Sequence, residues 1–162
     1  MSVILIGMPS SGKSTVGVIL AKRLGYKFID SDLLIQEREK KLLCQIIEER
    51  GADGFIALEG VVNSSIRDRE AVISTGGSAV YNEEAMEHLA TLGRIVYLEI
   101  SYEEMVERLG DYEHRGIVMP KGATLRDIYD QRRALYEKYA HITVSAEHRS
   151  ISHTVDEIIR NI

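Results

Sequence analysis

The sequence predicts an α/β protein in which a five-stranded parallel sheet carries helices on both faces. Three observations point there. Five short apolar, β-branched runs alternate with segments of helical periodicity, the signature of strands joined by crossover helices. The first run, Ser2-Val3-Ile4-Leu5-Ile6, is apolar throughout its length, as a strand buried on both faces is. It leads directly into a glycine-rich loop and then a helix, the arrangement of an α/β ligand-binding turn.

The elements follow in order. Strand 3–6 is followed by Gly7-Met8-Pro9-Ser10-Ser11-Gly12-Lys13-Ser14, which fits the phosphate-binding pattern G-x-x-x-x-G-K-[ST]. Such a loop at a helix N-terminus presents backbone N–H groups, and the helix macrodipole favours an anion there. The nucleotide-binding candidates are therefore Gly7, Pro9, Ser10, Ser11 and Gly12, continuing into Lys13, Ser14 and Thr15. Lys13 is expected to reach the terminal phosphates, and the Ser14 hydroxyl to ligate Mg²⁺. Val16, Leu20 and Leu24 give a helix over 14–24 that Gly25 stops. Strand 27–29 ends in Asp30-Ser31-Asp32, whose two carboxylates would face the phosphate site, one for metal and one for a hydroxyl proton. In the bland reading, Ser31 or Asp32 merely caps the next helix.

Helical patterns are predicted over 32–50, with a break, and over 54–67. Strand 71–74 runs into Gly76-Gly77-Ser78, whose bare amides suit an acceptor pocket or a plain turn. A helix at 83–91, a strand at 94–100 and a helix at 102–109 come next. Segment 110–122 holds three glycines, one proline and Arg115 without periodicity, and reads as a lid. A helix at 124–139, a strand at 141–144 and a helix at 151–161 complete the chain. Arg108, Arg115, Arg132 and Arg149 are candidates for adenine stacking, transition-state charge and carboxylate binding.

Size and composition narrow the classes. With 162 residues, one domain over 1–162 is expected. A formal charge of −5 and the lack of a basic stripe argue against nucleic acid, and the pairs Lys40-Lys41 and Arg132-Arg133 read as solvated helix faces. The single cysteine, Cys44, reads as a small buried hydrophobe. The apolar runs are too short to span a membrane and the N-terminus lacks the pattern of a secretory leader, so a cytoplasmic protein is expected. The five histidines show no metal-ligand spacing, although His114 beside Arg115 could touch a nucleotide. The chain has no N-K-x-D guanine motif, and Glu99 after Ile95-Val96-Tyr97-Leu98 is at best a degenerate form of the acid that ends an ATPase strand. What remains is a small kinase using ATP and Mg²⁺ on a small hydroxylated molecule.

With these residues assembled, the chain resembles the shikimate kinase family over about residues 2–155. The resemblance implies a three-layer fold with strand order 2-3-1-4-5, an acceptor-binding segment at about 31–62 and a lid at about 110–122. It implies transfer of phosphate from MgATP to the 3-hydroxyl of shikimate, a step of aromatic amino-acid biosynthesis. Carried over, Asp30 supports magnesium and Asp32 binds acceptor hydroxyls as the base. Gly76, Gly77 and Ser78 contact the acceptor, and Phe55 is retained at its site, as is Glu59. Arg115 is the lid arginine, Arg108 packs on adenine, Arg149 flanks it, and Arg132 binds the acceptor carboxylate. Lys13, Asp32 and Arg115 are thus the catalytic candidates, and a monomer is expected.

The departures cluster in the acceptor half. The family's G-E-x-x-F-R is here Gly51-Ala52-Asp53-Gly54-Phe55-Ile56, so Ala52 and Ile56 replace a glutamate and the carboxylate-clamp arginine. Ser78 replaces a glycine, and the lid's R-P is Arg115-Gly116. Losing a bidentate, charge-assisted contact weakens a carboxylate acceptor about ten- to hundred-fold unless Arg132 alone suffices or Arg67 or Arg69 swings in. A related kinase with another hydroxylated acceptor, a non-catalytic ATP-binding module and a nucleotide kinase therefore stand as alternatives.

Overall fold

The computed structural model describes residues 1–110 and 117–162. Its five strands are β1 (Ser2–Gly7), β2 (Lys27–Asp30), β3 (Ala71–Ser74), β4 (Gly93–Glu99) and β5 (Ile142–Ser145). They form one parallel sheet in the order β2-β3-β1-β4-β5. Every residue of β1 and β3 is buried, so both faces of the sheet centre are covered. That is why these strands read as unbroken apolar runs.

Among the described residues the helices are α1 (Lys13–Leu24), α2 (Ser31–Glu39), α3 (Leu43–Ser65) and α4 (Glu83–Leu92), then α5 (Tyr102–Leu109), α6 (Leu125–Tyr139) and α7 (Ile151–Asn161). A short 3₁₀ turn spans Ala79–Tyr81. Side-chain oxygens of Asp30, Asn82, Ser101, Thr124 and Ser150 accept from backbone amides at the starts of α2 and α4–α7. The break expected inside 32–50 falls at residues 40–42, where Lys40 adopts a left-handed conformation with φ 55°. The helices expected to end at 50 and begin at 54 are one element, α3, kinked at Gly51, whose φ of 70° and ψ of 177° are not helical.

Two apolar clusters hold the molecule together. The larger surrounds the sheet and includes Leu5, Leu20, Ile73, Tyr97 and Ile158. The smaller joins α2, α3 and the stretch before α6 through Ile35, Ile46, Phe55, Leu58, Val62 and Val118. It forms one wall of the region at the carboxyl ends of the strands, where order reverses about β1 and where α/β sheets bind ligands. At the opposite end of the sheet, Gly93 pairs with Ser2 so closely that a Cβ would collide with the Ser2 carbonyl.

Two sequence expectations are corrected here. Cys44 is exposed, because the first turns of α3 turn that side of the helix outward while Ile46 points into the smaller cluster. Arg132 is not on a solvated face: it is 1% exposed, although Arg133 beside it is in solvent. Helical rotation by one residue separates the two fates.

Candidate active site

The turn after β1 wraps around the ammonium group of Lys13. Gly12 takes φ 91°, a left-handed conformation that favours glycine, and caps α1 without a side-chain bond. Ser10 is also left-handed at φ 64°. The first amides of α1 have no intrahelical acceptor, leaving donors for an anion. Lys13 Nζ donates to the carbonyls of Gly7 at 2.9 Å and Met8 at 2.8 Å, so the loop holds its own lysine in place. Burial lowers the Lys13 pKa to about 8, with Asp32 acting against that shift.

Beyond the loop lies the turn from β2 into α2. Ser14 Oγ donates to Asp30 Oδ2 at 2.7 Å, and Asp30 Oδ1 accepts from the Asp32 amide at 3.0 Å. The N-cap of α2 is therefore Asp30, not the Ser31 or Asp32 that the bland reading offered. Ser31 is buried and receives the Gly76 amide on its hydroxyl at 3.3 Å. Ser14 and Asp30 offer hard oxygen atoms close together, a donor set that fits Mg²⁺. Burial, followed by the charge of Asp30, raises the Asp32 carboxyl pKa to about 6.

From the next strand end, Gly76, Gly77 and Ser78 pass over the buried side chains of Glu59 and Arg132. Arg132 Nη2 donates to the Val118 carbonyl at 2.7 Å, and its guanidinium carbon lies 5.5 Å from the centre of the Tyr81 ring. Its Nε is buried with no hydrogen-bond partner among the described residues. Tyr136 OH donates to the Gly77 carbonyl at 2.6 Å and fixes the turn.

These parts enclose a cleft of about 440 Å³. Pro9, Ser10, Gly12, Lys13, Ser14 and Thr15 line one end; Asp32, Phe55, Gly76, Gly77, Ser78 and Arg132 line the other. Gly7 and Ser11 support the loop from below without lining the cleft, both being buried. Arg108 lies beside the loop, donating to Glu104, to the Ala146 carbonyl at 2.8 Å and to the Ser10 carbonyl at 3.4 Å. Arg149 is not in the cleft: it is exposed and bound to Glu157 and His153 on α7. Glu99 faces Arg133 at 3.8 Å and does not line the cleft either. Arg115 and His114 lie outside the described residues.

The arginine that Ile56 replaces has no substitute from 67 or 69. Both precede β3, at the amino end of the sheet; Arg67 is held by the Ile66 carbonyl and His88, and Arg69 lies near Met1 and Arg94. Ile56 packs against the smaller apolar cluster and does not line the cleft. Sequence reasoning missed Leu43, Thr75, Leu109, Ile117 and Val118 as lining residues. It also gave no role to Glu59, although a carboxylate amid Phe55, Leu58 and Val62 on one helical face was a readable anomaly.

Comparison with known proteins gives a consistent result. The sequence profile of one family, shikimate kinase, matches residues 9–162. A shikimate kinase of Sulfurihydrogenibium sp. is 33% identical over 162 residues, 99% of this chain and 97% of its own length. The one from Aquifex aeolicus is 36% identical over 148 residues, 91% of this chain and 88% of its own length. Among solved structures, shikimate kinase from Acinetobacter baumannii in complex with shikimate superimposes with a TM-score of 0.88 at 30% identity. That match covers 99% of this chain and 91% of the other. A gluconokinase from Sinorhizobium meliloti, at 20% identity and a TM-score of 0.63, shares the fold.

Proposed function

This chain belongs to the shikimate kinase family, and from that premise we propose that it transfers the γ-phosphoryl group of MgATP to the 3-hydroxyl of shikimate. One observation carries the proposal: a single cleft has a phosphate-binding loop at one end and the guanidinium of Arg132 at the other, with Asp32 between them. Phosphoryl transfer depends on positioning and electrostatics, and this arrangement supplies both.

In this reading the loop amides and Lys13 hold the terminal phosphates, and Lys13 exchanges its loop carbonyls for phosphate oxygens. Ser14 and Asp30 would hold Mg²⁺, which when bound neutralises charge on the phosphates. Asp32 orients the acceptor hydroxyl and receives its proton; a carboxyl raised to about 6 is poised for that near neutral pH. Arg132 binds the acceptor carboxylate, while Phe55 and the amides of Gly76 and Gly77 bound the ring. Arg115 meets the developing charge as the lid closes. No helix among the described residues is long and apolar enough to cross a membrane. We place the reaction in the cytoplasm.

A second reading has a specific observation behind it. Ile56 supplies no cation and does not line the cleft, so a small hydroxylated acceptor needing one carboxylate contact or none would also be served. Measuring ADP release from MgATP over a wide range of shikimate, for the wild-type chain and for Ile56→Arg, separates the two. Turnover by the wild-type chain at moderate shikimate, lost by about 100-fold or more in Asp32→Ala, is the expected outcome. No wild-type turnover together with activity gained by Ile56→Arg would transfer the reaction to another acceptor. Full activity in Asp32→Ala would remove Asp32 from the mechanism.

A further inference from the structure

A second hollow lies at the other end of the sheet from the cleft, where the strands begin. It has a volume of about 510 Å³, and Arg69, Arg94, His141 and the last turn of α4 line it. Arg69 precedes β3, Arg94 is the second residue of β4, and His141 precedes β5. Strands β3 and β4 flank β1, and β5 follows β4. The three side chains therefore rise from about 14 Å of sheet end, three strand spacings, and two of them are long arms that can converge on one small molecule.

The charge in this hollow is uncompensated. Arg23, Arg50, Arg108 and Arg149 each face a carboxylate. Arg69 and Arg94, both exposed, have none among the described residues, and no acidic side chain lines the hollow. That runs against a chain with 25 acidic residues and a net charge of −5. The carbonyl end of α4 brings about half a negative charge, which one guanidinium would offset; two leave a surplus of positive charge. His141 adds a fixed donor. Its amide donates to the Ile95 carbonyl at 2.9 Å, and its Nδ1 accepts from the Ile95 amide at 3.0 Å. With Nδ1 an acceptor, the ring proton is on Nε2, which has no partner among the described residues.

We propose that this hollow is a second anion site, separate from the nucleotide cleft, which takes a small molecule bearing two or more phosphoryl groups. A phosphoryl group presents three outer oxygens, enough for both guanidiniums and the Nε2–H of His141, whereas a carboxylate presents two. Arginine forks match phosphate oxygens in pairs, which a lysine could not do. The volume leaves room beside the first phosphoryl group for a second. No residue of the site lines the cleft, so the site stands whichever acceptor the enzyme phosphorylates.

The test is equilibrium dialysis of the full chain against radiolabelled pyrophosphate without magnesium. Pyrophosphate can also enter the phosphate loop, so the reading is a difference between chains. Wild type takes up one more pyrophosphate per chain than the double variant Arg69→Gln/Arg94→Gln, and each single variant weakens that extra binding about ten-fold or more. Both arginines are exposed and outside the cleft, so the variants fold and keep the wild-type KM for MgATP within about two-fold. Equal uptake by wild type and the double variant, including none by either, overturns the proposal. Citrate in excess leaves the extra pyrophosphate bound; its displacement by citrate would overturn the assignment to phosphate. The ring of His141, read by ¹⁵N NMR and assigned by its loss in His141→Gln, locates the ligand. An Nε2 signal that shifts on adding pyrophosphate supports the proposal, and an unmoved one overturns it. Failure of the wild-type chain to turn over shikimate would defeat the acceptor assignment and leave these readings unaltered.

Discussion

Arg132→Met removes a guanidinium while keeping most of the side-chain length, and the structure supplies the terms of its effect. Arg132 lines the cleft, so an acceptor carboxylate placed against its guanidinium gains a charge-assisted contact. Such a contact is worth about 1.5–3 kcal/mol, which is about a 10- to 100-fold rise in the KM for shikimate. The nucleotide end does not touch this side chain, so the KM for MgATP stays within about two-fold of wild type. Stability also falls. The Val118 carbonyl loses its donor, a cost of about 1–3 kcal/mol for a buried acceptor, and the stacking over Tyr81 loses about 1 kcal/mol more. Steady-state kinetics with each substrate varied, alongside urea unfolding, measures both effects. A shikimate KM changed by less than three-fold, or an equal rise for MgATP, would refute the assignment of Arg132 to the acceptor end.

Two further outcomes follow from the packing and from the buried acids. Gly93→Ala places a methyl group against the Ser2 carbonyl between the paired strands β1 and β4, where neither can retreat. The expected loss is about 3 kcal/mol, read as a Tm lowered by about 5–10 °C, and an unchanged Tm would show that the strands yield. Glu59 is raised to about 8 in the folded chain from an ordinary value of 4.5, so the folded state binds the extra proton. Its contribution to stability is complete below about pH 4.5 and is lost as pH rises toward 8. Between pH 6 and 8 the unfolding free energy should decline by up to about 1.4 kcal/mol per pH unit, and Glu59→Gln should flatten that slope in denaturant titrations.

Much of this molecule was legible in its sequence, for physical reasons that can be named. Strand 71–74 was read with its observed bounds because all four residues are buried, leaving an apolar run with no ambiguity of period. The phosphate loop was legible because chain-local geometry makes it: a left-handed Gly12 and a helix N-terminus need no distant partner. The break inside 32–50 was expected without a position, because Lys40, not a glycine, takes the left-handed conformation there, while the expected gap between helices ending at 50 and beginning at 54 meets the non-helical Gly51. Arg132 looked like half of a solvated pair because its burial depends on Val118, Tyr81 and Gly77, all far away in sequence. Arg149 carried a family correspondence, and in the structure Glu157 and His153 of α7, which begins two residues later, hold it. The state of Glu59 was illegible for the same reason: Ser78 and Asp32 reach it only through the folded sheet.

The carboxylate of Asp30 performs two tasks at once, with one oxygen on Ser14 and the other on the amide of Asp32. That single planar group makes the metal end and the hydroxyl end of the cleft parts of one rigid turn. Any rotation that improves its contact with an ion alters the first turn of α2, and with it the direction of Asp32. Whatever MgATP does to the affinity for the acceptor of the proposed reaction through this turn, the acceptor does to MgATP by the same factor, because linkage is reciprocal.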